Sequence, residues 1–148
     1  MEHSKNGELF TQIVLETFRF SGLLTTAGDE LTAPYKLSSA RWKVLGALSL
    51  ADEPLTVSQI ARTMGQTRQA VQRLVDVMCK DNILALHENP LHKRAKLVAL
   101  TENGAGIYQQ LDAMQIPWAN SLASEVSKND LETTLKTIQT LAKQLDDN

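Results

Sequence analysis

A chain of 148 residues, 43% hydrophobic and 22% charged, has room for about one domain with a substantial core and lies in the ordinary globular range. It holds no apolar run long enough to span a membrane, MEHSKNGELF has no apolar stretch of export-signal length, and the lone Cys79 cannot form an internal disulfide, so the expected location is the cytoplasm. The net charge of −2 conceals an asymmetry: seven bases and three acids between Thr56 and Leu100 give +4, eight bases and fourteen acids elsewhere give −6, and a basic middle of this kind points toward nucleic acid or another acidic surface.

Apolar residues at Leu9, Phe10, Ile13, Val14, Phe18, Leu23 and Leu24 recur at the helical period and predict a first helix from Glu8 to about Leu24. Gly28 and Pro34 then interrupt the pattern. Leu37-Ser38-Ser39 opens a second helix through Trp42, Leu45 and Leu48, broken at Asp52-Glu53-Pro54. Thr56-Val57-Ser58-Gln59 has the form of a capping box, with Ile60, Ala61 and Met64 following. Gly65 is placed to end that helix in a left-handed conformation, and Thr67 can cap the next. The fourth helix buries Val71, Leu74, Val75 and Met78, spaced i, i+3, i+4 and i+7, and Asn82 suits the left-handed position beyond its end. The period then changes. Ile83–His87 and Lys96–Leu100 read as two short strands around a tip at roughly 88–95. Thr101 caps a long helix carrying Ile107, Leu111, Met114, Trp118 and Leu122, which Pro117 should kink or locally break. Ser127 starts a last helix whose Leu131, Leu135, Ile138, Ala142 and Leu145 form a narrow seam suited to pairing with another helix.

The fourth helix turns Arg68, Gln69, Gln72 and Arg73 away from its apolar stripe, with Asp76 the only acid among them. Arginine forks onto guanine O6 and N7, and glutamine onto adenine N6 and N7, so this face suits a major groove. Thr67 and the first amides of the helix can meet a phosphate. The tip Leu91-His92-Lys93-Arg94-Ala95-Lys96 adds three full positive charges that can follow the DNA backbone or reach a narrow minor groove. A short glycine-led turn between two helices, followed by a basic hairpin, is the outline of a winged helix-turn-helix. The predicted fold is therefore mainly α with a small β-hairpin wing.

The span TVSQIARTMGQTRQAVQRLVDVMCKDNILALHENPLHKRAKLVALTENG resembles the core of the multiple-antibiotic-resistance regulator (MarR) family, and NPLHKRAKLVALTENG is close to that family's wing signature. The upstream LSSARWKVLGALSLADEPLTVSQIA is also similar to the family's second helix and the link that follows it. The resemblance implies a homodimer on a pseudo-palindromic operator in double-stranded DNA. Residues 1–36 and 101–148 would supply dimerisation helices, and residues 37–100 the winged domain. Thr67, Arg68, Gln69, Gln72 and Arg73 would carry the major-groove contacts, with Lys93, Arg94 and Lys96 serving the wing. The junction of the two regions, where Phe18, Trp42 and Tyr108 are expected, often holds a pocket for small aromatic or phenolic effectors in this family. The chain departs from the family where His92 replaces an acidic residue that braces the wing, a change that would loosen it or make it more basic below about pH 6.5. It also has Asn82 where the family commonly ends its recognition helix with glycine.

The function these readings favour is a dimeric transcriptional repressor released by a small molecule. The alternative is a winged-helix protein-interaction module, which would tolerate charge reversal at Arg94 and show no steep salt dependence with DNA. Catalysis is not expected: there is no G-x-S-x-G, no glycine-rich phosphate loop and no paired His and Cys. No cofactor is expected, and His3, His87 and His92 lack metal-ligand spacing. The peroxide-sensing branch of the family carries its cysteine in the first helix, where this chain has none, so Cys79 is read as structural.

Overall fold

The structure, a computed structural model, describes residues 2–147. Met1 and Asn148, the outer ends of the two expected dimerisation segments, lie outside the described residues. The helices are α1 (Lys5–Thr32), α2 (Ser39–Ser49), α3 (Val57–Met64), α4 (Arg68–Lys80), α5 (Glu102–Ala123) and α6 (Lys128–Asp146). The strands are β1 (Leu55–Thr56), β2 (Leu84–His87) and β3 (Leu97–Leu100). One compact unit extends to Asp112 and a second begins at Ala113.

Most helix ends follow from local chemistry. Ser4, Ser38, Thr56, Thr67 and Ser127 each accept a backbone N–H of the helix that follows, satisfying a donor the helix itself leaves orphaned. At Thr56 the capping box is complete, because Gln59 also accepts the Thr56 backbone N–H at 2.8 Å. Gly65 takes φ +63°, as the three-residue reversal between α3 and α4 requires. Asn82 takes φ +56° beyond α4.

The first helix is longer than its apolar pattern. It runs through Gly28 to Thr32, because Gly28 lies where a side chain would collide with Ser39 and its bare backbone allows α2 to approach. Asp29 Oδ1 accepts the Ser39 N–H at 2.7 Å, and the buried Thr32 hydroxyl donates to the Gly28 carbonyl at 2.8 Å. The chain then leaves through a 3-10 turn, Ala33–Tyr35, that takes in Pro34. Pro117 does not break α5, which is continuous across it. Proline removes only the bond to the Ala113 carbonyl, and the turns on either side keep theirs.

The sheet has three strands, not two. β1 pairs antiparallel with β3 (Leu55 opposite Val98, Thr56 opposite Leu97), and β2 pairs with the other edge of β3 (Leu84 opposite Leu100, His87 opposite Leu97). β1 therefore ties the start of α3 to the wing. The core of the first unit joins Val44 and Leu45 of α2, Ile60 of α3, Val71, Val75 and Met78 of α4, and Val98 of β3, all with no exposed surface. Each such side chain contributes roughly 1.5–3 kcal/mol relative to exposure. That burial fixes the rotation of α4 and so decides which of its residues face outward.

Candidate nucleic-acid interface

On α4, the burial of Val71, Val75 and Met78 leaves Arg68, Gln69, Gln72, Arg73 and Asp76 exposed. Thr67 caps the helix by accepting the Ala70 N–H at 3.1 Å, and its own hydroxyl proton remains available to a phosphate oxygen. Gln72 Nε2 donates to Asp76 Oδ1 at 2.9 Å, so the acid meets an amide rather than either arginine. Among the described residues, the side chains of Arg68, Arg73, Lys93, Arg94 and Lys96 make no hydrogen bond or ion pair. Their charges face water with no carboxylate to neutralise them.

Helix and wing meet at a cleft of about 240 Å³. Its walls are Thr56, Val57 and Ser58 at the start of α3, Arg68 and Gln72 of α4, Leu86 of β2, and Arg94, Ala95 and Lys96 of the wing. Three cations line it and no acid does, and the α3 N-terminus adds the partial positive charge of its first amides. Such a cleft can hold an anionic backbone. Of the residues expected at the interface, Arg68, Gln72, Arg94 and Lys96 are gathered here, while Thr67, Gln69, Arg73 and Lys93 stand exposed outside the cleft. Thr56, Val57 and Ser58 were not expected at the interface. Their capping box marks a helix start in the sequence, but only the reversal at Gly65 and the pairing of β1 with β3 carry it beside Arg68 and Arg94.

Phe18, Trp42 and Tyr108 do not converge on a described cavity. Phe18 is 71% exposed on α1, and Trp42 and Tyr108 are half-buried. None of them lines the cleft, the hollow of about 520 Å³ by Leu50 and Met64, or the hollow of about 650 Å³ between Pro54 and the wing turn at Leu91. Cys79 is half-buried, and burial pushes its thiol above the ordinary value, with the Asp76 carboxylate pushing the same way. A thiol held protonated at neutral pH is a poor nucleophile, in keeping with a structural role. Among the described residues no group of three or more His, Cys, Asp or Glu side chains could hold a metal, and no helix is long and apolar enough to cross a membrane.

Comparison with known proteins bears on the family and the fold. The sequence model of the MarR family matches residues 35–95. An uncharacterized protein of Mycobacterium tuberculosis is 36% identical over 123 residues, 83% of this chain and 85% of the relative. Other relatives carry the name of HTH-type transcriptional regulators. Two solved structures share the fold. MepR of S. aureus, in complex with DNA, has a TM-score of 0.76 at 18% identity, covering 87% of this chain and 94% of that one. CouR of Rhodococcus jostii, bound to p-coumaroyl-CoA, has a TM-score of 0.78 at 22% identity, covering 88% and 91%.

Proposed function

Because the chain belongs to the MarR family of transcriptional regulators, we propose that it binds double-stranded DNA at a specific operator, as a homodimer acting as a repressor. The observation that carries this reading is the cleft in which Arg68 and Gln72 of α4 face Arg94 and Lys96 of the wing, with no acid among them. In this reading α4 lies in the major groove. Arg68, Gln69, Gln72 and Arg73 read base edges, Thr67 and Lys96 hold phosphate, and Lys93 and Arg94 follow the backbone to the minor groove. The DNA-bound state of the similarly folded MepR supports it.

Dimerisation is supported by apolar side chains that the single chain leaves uncovered. Leu9, Leu15, Phe18 and Phe20 of α1 are exposed, and so are Leu131, Leu135, Ile138 and Leu145 of α6. Residues 1–36 and 101–148 would form the dimer, carrying the two winged domains, residues 37–100, to successive major grooves about one helical turn apart. A monomer in sedimentation at micromolar concentration would remove this part of the reading. Release by a small aromatic or phenolic ligand is the corresponding control step, and the thioester held by CouR supports that chemistry. Phe18, Trp42 and Tyr108 are the candidate contacts, and the ligand would act by favouring a spacing of the two α4 helices that misses the operator. If no member of a panel of aromatic acids and their thioesters displaced the operator, that step would fall.

The residue-level test is Arg73→Ala in a fluorescence titration against the operator. The expected cost is roughly 1–3 kcal/mol with relaxed preference at one base pair. Unchanged affinity would remove Arg73 from the contact set.

A further inference from the structure

The loop that carries Lys93, Arg94 and Lys96 has little backbone pairing of its own. The β2–β3 ladder reaches His87 and Leu97 and stops there, leaving residues 88–96 between its ends. Nearly all of these residues are exposed. Ala95 is half-buried, and Asn89 is buried: it is 7% exposed, and both ends of its amide are used. Its Nδ2 donates to the Ala95 carbonyl at 2.9 Å, and its Oδ1 accepts the Leu91 N–H at 3.1 Å. The Ala95 N–H in turn donates to the His92 carbonyl at 3.2 Å. Ala95 is thus fastened through both its carbonyl and its amide, and it lies between Arg94 and Lys96.

The chemistry fixes which way the amide faces. A carbonyl only accepts and a backbone N–H only donates, so Nδ2 must meet Ala95 and Oδ1 must meet Leu91. A carboxylate has no donor for the first partner, and lysine or arginine has no acceptor for the second. The buried amide closes the loop across six residues, without charge, beneath an array of cations.

We propose that Asn89 is a positioning residue for DNA binding: its side-chain amide clamps the wing turn through Leu91 and Ala95, and thereby holds Arg94 and Lys96 against the α4 face. The proposal rests on the DNA-binding reading above and adds a residue that makes no contact with DNA itself. Its effect travels through Arg94 and Lys96. Without the clamp the loop samples many conformations, and ordering the two cations on the phosphates is then charged to each binding event.

The test uses the full chain carrying Asn89→Ala, Asn89→Leu, Arg94→Ala and the doubles with Arg94→Ala, titrated against an operator duplex selected with the unaltered protein. Neither Asn89 variant changes the net charge, so a loss of affinity cannot come from the overall field. Leucine keeps the branched shape and the heavy-atom count of the side chain while removing both hydrogen bonds. We expect each Asn89 variant to bind about tenfold more weakly, equivalent to about 1.4 kcal/mol, with thermal midpoints within roughly 3 °C of the parent. The further loss caused by Arg94→Ala should shrink to less than half once Asn89 is gone, because an unclamped wing has already forfeited that contact. A merely structural role would lower the thermal midpoint and leave the Arg94 effect additive. The assignment is overturned if both Asn89 variants bind within about twofold of the parent, if the Arg94 cost is unchanged in their background, or if both unfold. Failure of the unaltered chain to bind any selected duplex would overturn the DNA-binding reading itself, and this assignment with it.

Discussion

Gly104→Ala is expected to destabilise the protein by about 3 kcal/mol, near the upper end for overpacking, and to lower its thermal midpoint by roughly 10 °C at fixed protein concentration. Gly104 is buried in the first turn of α5, and a methyl group there would fall on the Ile83 carbonyl oxygen. That carbonyl is held in place. It accepts the Thr101 N–H at 3.1 Å, and the Gly104 N–H donates to Thr101 Oγ1 at 3.0 Å. The Thr101 hydroxyl lies 2.7 Å from the Asn82 carbonyl, which also accepts from Asn103 Nδ2 at 3.2 Å. The turn after α4 and the first turn of α5 are therefore interlocked, and making room for the methyl means pulling them apart. Gly106, two residues on, has nothing within 4 Å of where its Cβ would be. Gly106→Ala should be neutral or stabilise by up to ~1 kcal/mol, through helix propensity alone. Equal midpoints for the two variants in a thermal melt would contradict the close approach at Gly104.

Arg94→Glu is expected to weaken operator binding on the order of 100-fold near 0.15 M salt, and to reduce the steepness of the salt dependence by at least one phosphate's worth, about 0.9 in slope. Arg94 shares its cleft with Arg68 and Lys96, and none of the three has an acidic partner. Reversal there removes one attraction to the DNA backbone and adds a repulsion. The new carboxylate would also meet Arg68 or Lys96 and draw it away from phosphate. Because residue 94 is exposed and its side chain has no hydrogen-bonded partner, the thermal midpoint should move little, which separates a binding defect from a folding one. Retained affinity in the titration would favour the interaction-module reading, which tolerates this change.

The parts of the fold that could be read from the sequence are those settled within a few residues. The stripe of Val71, Val75 and Met78, the capping box at Thr56 and Gln59, and the left-handed positions at Gly65 and Asn82 each depend on local spacing or backbone preference. What escaped was settled at long range. β1 is two residues long and exists only because Leu55 and Thr56 find Val98 and Leu97 some forty positions away. The extension of α1 past Gly28 depends on Ser39 needing the space; the continuity of α5 across Pro117 is the local exception, since a single lost bond does not break a helix whose adjoining turns keep theirs. The outward cations of α4 and the wing could be named from pattern, but their meeting with Ser58 in one cleft could not. Asn89 falls within the hairpin tip at 88–95, beside Pro90, and nothing in the sequence marks it as buried.

The most direct measurement is the binding of the unaltered protein to the DNA upstream of its own gene, by fluorescence anisotropy at several salt concentrations, alongside random duplex and sequences selected from a genomic library. The account predicts a preference over random DNA of about 10³ or more, with log K falling linearly against log salt at about 0.9 per neutralised phosphate. Weak binding that ignores salt, with no selected sequence exceeding random duplex, would contradict it and leave a winged helix whose basic face meets something other than DNA.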